Sequence, residues 1–158
     1  MARPDIQDTA AEPPHPPVHV RDTLLMPLGH LGLNVPDLDT ARAYYAAVMP
    51  TLGFEQFLDS KDEFAWRPAG GKPGTFLFFY PASDERLYSA EAAGLQHLAF
   101  IVRTRSEVDQ VAELVTQLGS AIVHPPQDWP QYPPPYYALF WTDPQGFMLE
   151  AVCHHDRP

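Results

Sequence analysis

The chain has 158 residues, 45% of them apolar and 19% charged, a composition that suits one globular domain with a buried core. Ten lysines and arginines stand against twenty aspartates and glutamates, and a net charge of -10 without basic clusters excludes nucleic acid as a partner. No apolar run approaches the roughly 18–20 residues that cross a bilayer, and a single cysteine excludes a disulfide framework, so the expectation is a cytoplasmic protein that does not engage a membrane.

Residues 1–26 read as a disordered, proline-rich arm: "EPPHPP" falls in a stretch without apolar periodicity, and no signal-peptide core is present. The remainder, 27–158, reads as a single domain built from two repeats, about 27–82 and 94–153. The first opens with the strand pattern "GHLGLNV", followed by "DLDTARAYYAAVMPTLG", whose Ala41, Tyr44, Tyr45, Val48 and Leu52 recur at helical spacing up to a stop at Gly53. Pro50 is expected to kink or shorten that helix. Three short strands follow, "FEQFL", "EFAWR" and "TFLFFY".

The second repeat says the same. "QHLAFIV" places His97 where His30 stood, 67 residues earlier, and "SEVDQVAELVTQLG" repeats the helical spacing through Val108, Val111, Leu114, Val115 and Leu118 to Gly119. The strands "AIVH", "YYALFW" and "FMLEAV" complete it. The expected fold is α+β: two βαβββ repeats forming a curved mixed sheet, helices outside, with a concave metal-binding cavity on the other face.

Strand parity supplies candidate site residues. Leu31, Leu33 and Val35 share one face of the first strand and His30, Gly32 and Asn34 the other; the larger apolar set belongs under the helix. The same argument turns His97 and Ala99 to the open face of the second repeat, and Glu150 with Met148 and Val152 to the open face of the last strand. A carboxylate buried there is costly unless a cation offsets it. Two histidines and a glutamate aimed into one hollow form a plausible metal set, with a polar network lacking metal as the alternative.

At these residues the chain resembles the vicinal oxygen chelate superfamily, which includes glyoxalase I, extradiol dioxygenases, and fosfomycin and bleomycin resistance proteins. The motifs that carry the resemblance are "GHLGLNVPDLDTARAYY", "LQHLAFIV" and "WTDPQGFMLEAV". It implies His30, His97 and Glu150 as ligands of a divalent metal, with Fe, Mn, Zn and Ni as candidates. Glyoxalase I usually adds a glutamate on the last strand of its first repeat; pairing Gly74 with Gly146 puts Phe78 there, which argues against authentic glyoxalase I activity. The acid/base tyrosine and histidine of extradiol dioxygenases fall on Phe140 and near Ala82.

Phe76, Phe78 and Tyr80 should form an apolar wall of the cavity. The loop "DWPQYPPPYY", with Trp129, Tyr132, Tyr136 and Tyr137, reads as a stiff lid or a plain surface loop. The resulting expectation is a metal-dependent lyase or dioxygenase acting on a small oxygen-bearing substrate, alternatively a non-catalytic small-molecule binder of the same fold. The resemblance also implies a homodimer as a possible form, in which His30 comes from the neighbouring chain.

Overall fold

In the first repeat, β1 (His30–Val35) alternates as its sequence does, with Leu33 and Val35 buried and His30, Gly32 and Asn34 exposed. The structure, a computed structural model, describes residues 27–84 and 88–156; the arm expected over 1–26 lies outside the described residues. The Asp37 side chain accepts from the backbone N–H groups of Asp39 and Thr40 and starts α1 (Leu38–Val48), whose Ala41, Tyr44, Tyr45 and Val48 face the core. Pro50 cannot donate to the α-helical ladder. The chain there tightens into a 3-10 turn over Met49–Leu52, which ends at Gly53 with φ +80°, a left-handed conformation that suits glycine.

Next come β2 (Phe54–Asp59), β3 (Phe64–Pro68) and β4 (Phe76–Pro81), in sheet order β1-β4-β3-β2, with β1 parallel to β4 and the other pairs antiparallel. The second repeat copies this: β5 (Leu98–Val102), α2 (Arg105–Gln117), β6 (Ala121–Asp128), β7 (Tyr137–Thr142) and β8 (Met148–Cys153), in order β5-β8-β7-β6. A capping box between Thr104 and Glu107 opens α2.

One element outruns its expected length. Strand β6 continues to Asp128 instead of ending at His124, with register shifts between Ile122 and His124 and between His124 and Gln127. Pro125 and Pro126 sit in the second irregularity of an edge strand, where a missing N–H breaks no ladder.

The two repeats share one core, to which both helices and both sheets contribute. Polar contacts cross the seam: Tyr45 Oη donates to Asp143 Oδ2 (2.9 Å), Trp141 Nε1 donates to Tyr44 Oη (2.9 Å), and Tyr44 Oη lies 2.7 Å from Ser120 Oγ. Within the chain the sheets are not hydrogen-bonded to each other, so β1 and β5 are both outermost strands. Ile101 on β5 is 71% exposed. Among the described residues, no helix is long and apolar enough to cross a membrane.

Candidate metal centre

Glu150 lies on β8, opposite Ala99 of β5 and Phe140 of β7, and so at the middle of the second sheet. The turn before β8 aims that strand: Asp143 Oδ1 accepts from the N–H groups of Gln145 and Phe147, and Gly146 adopts φ +89°. Phe147, Leu149 and Ala151 point into the core, which leaves Glu150 on the opposite face.

Although it faces away from the core, Glu150 is fully buried. Tyr136 Oη donates to its Oε1 at 2.6 Å. Oε2 lies 3.0 Å from His97 Nε2 but has no hydrogen-bond donor, so the contact is one of proximity without alignment. His97 Nδ1 is 2.5 Å from Gln96 Oε1, an acceptor that can hold a proton on Nδ1 and leave Nε2 available to a metal ion. A buried carboxylate oxygen without a donor costs free energy unless a cation offsets its charge. One imidazole nitrogen and one carboxylate oxygen, both free of donors, fit a divalent metal ion.

A cavity of about 260 Å³ opens beside this pair. Its walls are aromatic: Trp129, Tyr132 and Tyr136 from the loop, Phe140 from β7 and His124 from β6. Trp129 meets Phe140 edge to face at 5.2 Å and His124 at 5.1 Å. Burial foremost, then the bond to Glu150, pushes the Tyr136 hydroxyl well above the ordinary tyrosine range, so it remains a donor at neutral pH.

The predicted site residues fall into two groups. His97, Glu150 and Trp129 come together at this cavity. His30, Phe76, Phe78 and Tyr80 come together elsewhere, on the open face of the first sheet, where Phe78 packs against the His30 ring at 5.6 Å and stacks on Tyr80 at 6.2 Å. Among the described residues, no group of three or more His, Cys, Asp or Glu side chains is placed to hold a metal ion. Tyr137 takes part in neither group: its hydroxyl donates to Asp109 of α2, with the Arg105 guanidinium over its ring. Sequence reasoning placed Tyr136 in a loop read as a stiff lid or a plain surface loop but missed its bond to Glu150, and it missed Gln96, which only its position beside His97 signals.

A profile of the Glyoxalase/Bleomycin resistance protein/Dioxygenase superfamily matches residues 27–151. The chain belongs to this superfamily. Among curated relatives, YqjT of Bacillus subtilis is 26% identical over 127 residues, 78% of this chain and 96% of its own. PA2024 of Pseudomonas aeruginosa is 29% identical over 124 residues, 78% of this chain and 85% of its own. The crystal structure of a glyoxalase/bleomycin resistance protein from Albidiferax ferrireducens superposes with a TM-score of 0.64 at 19% identity, covering 83% of this chain and 98% of that one, which shows the shared fold.

Proposed function

We propose that the protein is a divalent-metal-dependent enzyme of the cytoplasm, of lyase or dioxygenase type, acting on a small oxygen-bearing substrate. Its centre is built across two copies, with His97 and Glu150 from one chain and His30 of the partner subunit. The observation that carries this reading is the buried Glu150 carboxylate, whose Oε2 has no donor and lies 3.0 Å from His97 Nε2. A two-fold pairing that sets β1 of one chain beside β5 of the other accounts for these two unpaired edges, and for the aromatic wall around His30, in which Phe57 and Tyr80 are exposed and Phe76 and Phe78 half-buried.

Bound there, Fe(II), Mn(II), Ni(II) or Zn(II) supplies Lewis acidity toward substrate oxygens. The chain's own residues do the rest. Gln96 fixes the His97 tautomer, Trp129 and Phe140 hold the body of the substrate, and the loop over the cavity limits access of water. No described residue lining the cavity is lysine or arginine, which favours a substrate with a neutral aromatic or apolar body. Phe78, not a carboxylate, stands beside His30, which argues against the glyoxalase I reaction.

The second reading is a binding protein without turnover, favoured by the separation of His30 from His97 within one chain. Elemental analysis of protein purified without chelators decides between them. Near one metal per chain in the wild type, lost in His97→Ala and Glu150→Gln, supports the enzyme; no metal after reconstitution supports the binder.

A further inference from the structure

We infer that Tyr136 is a positioning residue for the metal-ligand carboxylate: by occupying Oε1 of Glu150, it leaves Oε2 as the one oxygen that ligates. This rests on the metal reading above, and it concerns a contact that the His97, Glu150 and His30 set does not include.

The two oxygens of Glu150 have opposite surroundings. Oε1 accepts a 2.6 Å hydrogen bond from the Tyr136 phenol, whereas Oε2 has no donor and faces His97 Nε2 at 3.0 Å. A terminal carboxylate torsion is soft on its own, so a fixed donor on one oxygen decides which oxygen is presented to the cation. Tyr136 is suited to be that fixed donor. Its ring packs against Tyr132 at 4.8 Å and edge-on against His154 at 4.8 Å, and its carbonyl accepts from the Trp129 N–H at 2.9 Å. The carboxylate it holds springs from a strand paired on both sides. The loop is therefore more than a cover, because it carries the group that sets the geometry of the ligand below it. Hydrogen bonds to ligating groups from outside the coordination sphere typically change metal affinity by about 10–100-fold when removed.

The test is Co(II) titration of the wild-type protein, Tyr136→Phe and Tyr137→Phe, followed by equilibrium affinity and the visible Co(II) spectrum. Tyr136→Phe keeps the packed ring and deletes only the donor. Tyr137→Phe deletes a hydroxyl from the adjacent residue, which bonds Asp109 instead. The expected result is a loss of about 10–100-fold in affinity for Tyr136→Phe, with a weaker visible band as the freed oxygen joins the coordination sphere, and no change in either readout for Tyr137→Phe. Unchanged affinity, an unchanged spectrum, or an equal loss in Tyr137→Phe overturns the inference while leaving the metal reading intact. Failure of the wild-type protein to bind Co(II) overturns both.

Discussion

Replacing Glu150 by Gln should stabilise the metal-free protein. The Glu150 Oε2 lies 3.0 Å from His97 Nε2 and accepts no hydrogen bond, inside a side chain that is fully buried. An amide has nearly the same shape. Its oxygen can still accept from Tyr136, and its NH2 group takes the place of Oε2, so a buried oxygen without a donor becomes a donor within reach of Nε2. Relief of such a group amounts to about 2 kcal/mol, or a rise in Tm of about 6 °C for a domain of this size. The wild-type protein should recover the advantage when metal is added, since ligand at 100 times its Kd contributes about 2.7 kcal/mol, whereas Glu150→Gln should gain little. Urea unfolding followed by tryptophan fluorescence, with and without a chelator, measures both effects. A metal-free Glu150→Gln protein that is less stable than wild type by about 1 kcal/mol or more would refute the reasoning. It would mean that His97 is protonated and that Glu150 serves as its structural counter-charge.

Tyr45→Phe should destabilise by about 1–3 kcal/mol in the same urea assay, because Asp143 Oδ2 loses its donor inside the shared core while the fold keeps the ring. The alkaline limb of stability should be steep. Burial raises the hydroxyls of Tyr44 and Tyr45 above the usual value near 10, so from about pH 10 upward the unfolded chain releases protons that the folded chain retains. Stability is then full below that pH and falls above it by about 1.4 kcal/mol per pH unit per tyrosine. Thermal melts between about pH 9 and 11 would check this, and a flat profile would contradict it.

Much of the fold was legible because β1, β4 and β5 each bury one face. The alternation in "HLGLNV" and "FLFFYP" separates core from open side without help from tertiary contacts, and the offset between His30 and His97 exposes the duplication. The Asp-Pro-x-Gly turn likewise announces β8 and the direction of Glu150. The relation between the two open faces was not legible. Parity says that His30 and His97 both leave the core, but which sheet meets which depends on the helix packing and on the Tyr45–Asp143 and Tyr44–Trp141 contacts, which span about a hundred residues of chain. Those contacts join the repeats back to back, so Phe76, Phe78 and Tyr80 line a different surface from Trp129. Tyr137 follows the alternation of β7 onto α2, whereas Tyr136, one residue earlier, reaches the carboxylate.

The central claim is that one chain supplies His97 and Glu150 and the other supplies His30. It is tested most directly by a mixed dimer of His30→Ala and Glu150→Gln chains, isolated through two different tags that do not themselves bind metal. In such a dimer one site is intact and the other lacks both groups, so the account predicts no metal in either parent and about one ion per mixed dimer, half the wild-type content. A mixed dimer as empty as its parents, or full occupancy in His30→Ala alone, would contradict it.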